Sequence, residues 1–238
     1  MCEILAVASE TQLELGAVLA WAAELERFGI SGFGWGVAWV DGDGEIHCYR
    51  KPTSLATDVQ GTLELRQAGC VAALVHLRRP SRLSTVEMAD TQPFVDEARR
   101  FAFVHNGRFA WDDRYRPRFH AELLGRADSE VGFRLFASLL DEGQRPVPAL
   151  AAVHVALGGT ANLCCLTGEG ETVLYGGHPS NALHRFQLGD LHVACTGLHS
   201  DDTSVFDLVF PEATERELVG REPVLLRRPR STHGAPSR

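Results

Sequence analysis

The sequence predicts an α+β fold with substantial antiparallel pairing. Three observations carry that expectation. Strand-like and helical stretches come in groups and not in strict strand–helix alternation. The stretches "GWGVAWV" (34–40) and "EIHCYR" (45–50) flank "DGDG" (41–44), a hairpin signal because Gly and Asp tolerate the positive φ of a tight turn. The last third of the chain reads almost wholly as strand.

Taken in order, "CEILAVAS" (2–9) is a short apolar run that suits a buried strand. Over 11–28, Thr11 can cap a helix, Leu13, Ala17, Ala20 and Leu25 fall near helical spacing, and Gly29 ends it. After the hairpin, a helix is expected from about Leu55 to Ala68, then a buried strand in "CVAALVHLR" (70–78). A loop holding Pro80 and Pro93 runs to Phe94. "RFAFVHNG" (100–107) is another strand, ending in a turn. Helices are expected near Phe119–Leu124 and over Ser129–Leu140, the second with Val131, Leu135 and Leu139 on one stripe. Strands follow at 160–167, 171–177, 190–197 and 222–228. The tail from 227 is basic and rich in Pro, Gly and Ser, a composition that suits disorder. No repeat and no linker divides the chain, so residues 1–226 are expected to form one domain.

Composition narrows the function. Of 238 residues, 45% are hydrophobic and 23% charged, ordinary values for a globular protein. The formal net charge of -8 argues against a broad basic face for nucleic acid or an anionic membrane. No apolar run reaches the roughly 20 residues that span a bilayer, and Glu3 stands where a signal peptide would not carry it. A cytoplasmic setting is expected. The six cysteines show no CxxC spacing and no histidine at metal-ligand intervals, so neither a zinc site nor a disulfide framework is expected. Most lie in apolar runs and suit small buried hydrophobes. Cys2, directly after Met1, needs a different account.

Five stretches matter together: Cys2; "FGWGVA" (33–38); "HLRRPS" (76–81); "DTQPF" (90–94) with "FVHNG" (103–107) behind it; and "ADSE" (127–130). Alone, each has a plain reading. Cys2 could be a buried strand cysteine, Asn-Gly is a favoured turn dipeptide, and Asp128 suits a helix N-terminus. The G-x-G of "FGWGVA" lacks the third glycine of a dinucleotide site. In their order and spacing, however, they resemble class II glutamine amidotransferases of the N-terminal-nucleophile hydrolase superfamily. The motifs cover roughly the first 140 residues. The stand-alone members, and the ergothioneine-pathway amidohydrolases of similar length, are the most similar.

The resemblance implies a four-layer αββα sandwich of two mostly antiparallel sheets. It also implies roles. Removal of Met1 would free the α-amine of Cys2, whose pKa near 8 makes it a base beside its own thiol nucleophile. Asn106 and Gly107 would form the oxyanion hole. Arg78 would pair with the α-carboxylate of a glutamine or γ-glutamyl head, a bidentate fit that lysine lacks. Asp128 would bind the α-ammonium, and Ser81 and His105 would help hold substrate. His76 is expected to be a satisfied strand-end histidine. Phe33, Arg79 and Pro80 depart from the family pattern. No metal or organic cofactor is implied. The expected reaction is hydrolysis of the side-chain amide of glutamine or a γ-glutamyl compound. Two alternatives stand beside it: a glutaminase delivering ammonia to a separate synthase, and an inactive ligand- or partner-binding protein.

Overall fold

The computed structural model describes residues 2–198 and 204–226. Its first half contains β1 (Glu3–Glu14), α1 (Leu15–Phe28), β2 (Trp35–Val40), β3 (Ile46–Lys51), α2 (Val59–Leu65), β4 (Gly69–Leu77), β5 (Phe94–Val95) and β6 (Phe101–Arg108). Then come α3 (Asp112–Tyr115), α4 (Asp128–Asp141), α5 (Pro146–Leu157), β7 (Thr160–Thr167), β8 (Thr172–Gly177), β9 (Leu183–Leu188), β10 (Leu191–Thr196), α6 (Ser204–Val209), β11 (Thr214–Leu218) and β12 (Val224–Leu225). The strands form a seven-stranded sheet, in the order β11-β9-β10-β1-β4-β2-β3, and a five-stranded sheet, β12-β8-β7-β6-β5. Every pairing is antiparallel.

Alternation along the strands separates three apolar layers. Leu5 and Val7 of β1 face α1 and α6 and meet Leu15, Val18, Phe206 and Phe210. Ile4, Ala6 and Ala8 face the other sheet and meet Ala102, Val104, Cys164 and Leu166. Beyond the second sheet, Phe101, Phe103 and Leu163 pack under α4 and α5 against Phe133, Phe136 and Val153. The order is therefore helices, sheet, sheet, helices, the expected sandwich. The seam between the sheets is rich in alanine, which lets them approach closely.

Several expected elements shift. The first strand runs on to Glu14, so Thr11 caps nothing and α1 starts at Leu15. Its far end pairs Leu13 with Cys70 and Glu14 with Gly69 after a register shift. Ladder pairing satisfies more backbone groups there than a single cap would. The helix expected over 55–68 contracts to α2, capped by Asp58, whose carboxylate accepts from the Gly61 N–H at 3.2 Å. The helix expected at 119–124 is absent. The segment before it makes α3 and a 3₁₀ turn, Arg116–Phe119, with a proline in its first turn. After it, the Glu130 carboxylate takes the Leu124 and Gly125 N–H groups, each at 2.8 Å. The sequence reading contains no α5, because "PVPALAAVHVAL" is apolar with no clear stripe. It also missed β9, α6 and β11. The strand expected at 222–228 is two residues within the described chain, and the tail from 227 lies outside it. All six cysteines are free thiols; Cys70, Cys164, Cys165 and Cys195 are buried.

Candidate active site

The register of β1 on β4 pairs Glu3 with Leu77 and Ile4 with His76. Cys2, at the start of β1, therefore lies beside Arg78 and Arg79, where β4 ends. Asn106 shares with Ala102 and Val104 the face of β6 that meets the first sheet. The two sheets thus bring Cys2, Arg78 and Asn106 to one end of their seam.

Asn106 holds Cys2 by its main chain. The Cys2 N–H donates to Asn106 Oδ1 at 3.3 Å, and Asn106 Nδ2 donates to the Cys2 carbonyl at 2.6 Å. An amide nitrogen carries two hydrogens, so one remains for a second acceptor. Gly107 has φ +149°, and a Cβ there would sit 2.0 Å from the Thr160 carbonyl oxygen. No other residue fits that position without moving β7. Gly36 is similarly required, since a Cβ would sit 2.4 Å from the Gln92 carbonyl.

The Cys2 thiol is held by the residue after Arg78. The Arg79 N–H donates to Sγ at 3.3 Å, and the Arg79 carbonyl lies 3.6 Å away as an acceptor. Burial is the largest influence and raises the thiol pKa; the Arg79 N–H and Arg78 pull it back in part. The thiol is thus not ionised by its surroundings and needs a base to become a nucleophile.

Arg78 is 4% exposed. Its Nη1 donates to the Thr85 carbonyl and its Nη2 to Thr85 Oγ1 at 2.9 Å. Asp90, Asp128 and Glu87 lie in its field. Asp128 opens α4, and its Oδ2 accepts the Phe109 N–H at 2.7 Å. That turn is set by Asp90, whose Oδ1 accepts from the Arg126 and Ala127 N–H groups, each at 2.7 Å. The "DTQPF" stretch thus orients "ADSE" across a gap of more than thirty residues.

Two expected substrate residues are placed differently. His105 is 1% exposed; its ring stacks on Phe109 at 3.9 Å and its Nδ1 meets Ser129 Oγ at 2.9 Å. The Gln92 side chain occupies its backbone, accepting from the N–H at 2.6 Å and donating to the carbonyl at 3.1 Å. Alternation along β6 turns its ring toward α4, away from the seam that holds Asn106. Burial drops its pKa to about 4. Ser81 is exposed beyond Pro80; the hydroxyl on Arg78 belongs to Thr85, which the sequence reading passed over. His76, expected to be a satisfied strand-end histidine, lies near the end of β4 beside the His105 backbone. It is fully buried, with neither ring nitrogen in a standard hydrogen bond among the described residues, and burial and Arg78 lower its pKa to about 3.

Two departures from the family pattern account for one another. The Arg79 guanidinium lies 5.6 Å from the Phe33 ring centroid, and its Nη1 donates to the Ile30 carbonyl at 3.0 Å. Phe33 is thus the platform on which Arg79 rests at the rim.

A second set of polar residues went unread because it belongs to no motif. Asn181 Nδ2 donates to the Cys2 carbonyl at 3.1 Å and to Glu3 Oε2 at 3.2 Å. Asn162, opposite Asn106 on β7, donates to the Asn181 carbonyl at 2.6 Å and accepts the His178 N–H at 3.2 Å. Among the described residues, one trio could hold a metal, Asp41, Glu45 and His47. It lies on the β2–β3 turn at the far end of the strands, where Asp41 Oδ1 accepts the Asp43 and Glu45 N–H groups.

A family model described as "Glutamine amidotransferases class-II" matches residues 1–194. No curated protein matches the chain. Solved structures do. Glutamine phosphoribosylpyrophosphate amidotransferase from B. subtilis superposes with TM-score 0.70 at 19% identity, over 94% of this chain and 47% of that one. A structure described as the allosteric regulatory enzyme of purine biosynthesis gives TM-score 0.73 at 18% identity, over 94% and 46%. A glutamine aminotransferase class-II domain protein from Silicibacter pomeroyi gives 0.57 at 19%, over 82% and 88%. The chain spans about half the length of the first two. At such identities the likeness is one of fold, and it agrees with the sandwich described above. The family match covers the stretch in which Cys2, Arg78 and Asn106 converge: the chain belongs to the class II glutamine amidotransferases.

Proposed function

We propose that the chain hydrolyses the side-chain amide of glutamine or of a γ-glutamyl compound, with Cys2 as nucleophile. The observation that carries this reading is the clasp of Asn106 on the Cys2 main chain beside the buried Arg78. Once Met1 is removed, the Cys2 amine takes the thiol proton and Sγ attacks the amide carbon. The free N–H of Asn106 and the Gly107 N–H receive the oxyanion, each worth roughly 3–4 kcal/mol in acyl transfer. The ammonium formed on Cys2 returns the proton to the leaving nitrogen, and the tetrahedral centre collapses to a thioester. The amine then takes a proton from water, which attacks the thioester and releases the acid. Arg78 and Asp128 hold the α-carboxylate and α-ammonium of the glutamyl head. The six free thiols fit a reducing, cytoplasmic setting.

The second reading is a glutaminase that passes ammonia to a separate synthase. It is favoured by the likeness to amidotransferases twice this chain's length. The test of both is intact mass before and after 6-diazo-5-oxo-norleucine, a glutamine-analogue alkylator. Loss of Met1 with one adduct on Cys2 is expected, and no adduct would overturn the nucleophile. Ammonia release is then compared between free glutamine and γ-glutamyl amides. Turnover confined to glutamine favours the partnered glutaminase. Retained Met1 would point instead to an inactive binding protein.

A further inference from the structure

Glu3 is an acid held without any exposed surface directly after the candidate nucleophile. Its side chain leaves β1 on the face of Leu5 and Val7, away from the seam. There its Oε2 accepts from Asn181 Nδ2 at 3.2 Å and from the Thr196 hydroxyl. Burying a carboxylate is costly unless its bonds organise something. Both side-chain partners also reach the main chain around the nucleophile. The Asn181 amide donates to the Cys2 carbonyl at 3.1 Å, and Thr196 Oγ1 accepts the Ile4 N–H at 3.0 Å. Glu3 thus sits at the centre of a frame that grips the chain on both sides of itself.

We propose that Glu3 is a positioning residue: through Asn181 and Thr196 it fixes the main chain that presents the Cys2 amine and thiol, without touching substrate. Two groups on one residue must face the same carbon, so a small tilt of the Cys2 carbonyl displaces both. Asn106 grips that carbonyl from the opposite sheet, and Asn181 supplies the second donor that sets its direction. The inference rests on Cys2 being the nucleophile.

The test is inactivation by 6-diazo-5-oxo-norleucine, followed as maximal rate and half-saturation concentration. It uses wild type, Glu3→Gln, Glu3→Ala, Asn181→Ala and the double variant Glu3→Ala/Asn181→Ala. Intact mass confirms Met1 removal in each, because residue 3 adjoins the processing site. Glu3→Ala is expected to slow the maximal rate about 10- to 100-fold with half-saturation within about 2-fold. Glu3→Gln keeps an acceptor oxygen and is expected to recover to within about 3-fold of wild type. The double variant is expected to lose less than the product of the two single losses, because part of the effect of Glu3 runs through Asn181. Wild-type rates in Glu3→Ala or in Asn181→Ala would overturn the proposal. So would multiplying losses with no rescue by glutamine. If Glu3→Ala does not fold, Asn181→Ala keeps the carboxylate and decides the matter. Absence of any Cys2 adduct in wild type, seen before a variant is made, would overturn the nucleophile assignment instead.

Discussion

Residues up to about 130 and residues 160–198 build the site in different ways. The first set supplies Cys2, Arg78, Asn106, Gly107 and Asp128, the residues that the proposed reaction uses. The second set supplies Asn181 and Thr196, which bond the main chain of Cys2 and Ile4, and Asn162, which holds the Asn181 turn. One region offers reactive and charged groups, the other holds the peptide that carries them. The difference teaches that Cys2 is held from both regions: Asn106 of a motif grips its main chain from one sheet, and Asn181, which belongs to no motif, adds a donor from the other region. Cys2, directly before β1, is held from β6 and from the β8–β9 connection.

Variants can break or sharpen that contrast. The largest effect is expected from Cys2→Ala, a loss of at least about a thousandfold in turnover. The fold should persist, because Asn106 and Asn181 grip only the Cys2 main chain. Activity assay and circular dichroism check this, and substantial residual turnover would remove the nucleophile. Asn106→Ala should lower kcat about 100- to 1,000-fold and also cost about 1 kcal/mol of stability, since the partly buried Cys2 carbonyl loses a donor. A kcat loss without a stability loss would mean that Asn181 alone holds the residue. Arg78→Lys should raise KM about tenfold or more with little change in melting temperature, because the forked contact is lost. An unchanged KM would place the clamp elsewhere.

The smallest effect concerns pH. Burial raises the Glu3 carboxyl from 4.5 to about 7, so the fold binds its proton more tightly than the unfolded chain does. Stability from this group is full below about pH 4.5 and falls by about 3 kcal/mol as pH rises through 7. His76 and His105, lowered to about 3 and 4, act oppositely: their contribution is present above about 6.5 and is lost on acidification. Glu3→Gln isolates the acid. Denaturation at pH 5 and pH 8 should show the variant gaining on wild type at the higher pH. An equal difference at both values would mean that Glu3 does not titrate in that range.

How much could be read beforehand follows from what a motif records. Cys2, Asn106, Gly107, Arg78 and Asp128 were nameable because spacing and residue type identify them together. His105 was misplaced because "HNG" shows adjacency but not the strand alternation that turns every second side chain to the helices. Ser81 was named from the "HLRRPS" motif alone, and Thr85, which bonds Arg78, belongs to no motif and depends on the fold of the 79–93 connection. Asn181 lies in a plain polar turn and Asn162 in a buried, largely apolar strand, and neither belongs to a motif.

The sequence by itself determined the apolar strands, the 41–44 hairpin and the residue types of the site. Those depend on periodicity and on backbone sterics, which are local. Only the tertiary structure decided which polar groups touch. The bonds from Asn106 and Asn181 to Cys2 span 104 and 179 residues. They exist because strand register and the closeness of an alanine-lined seam bring distant ends together, and no short stretch of sequence contains that information.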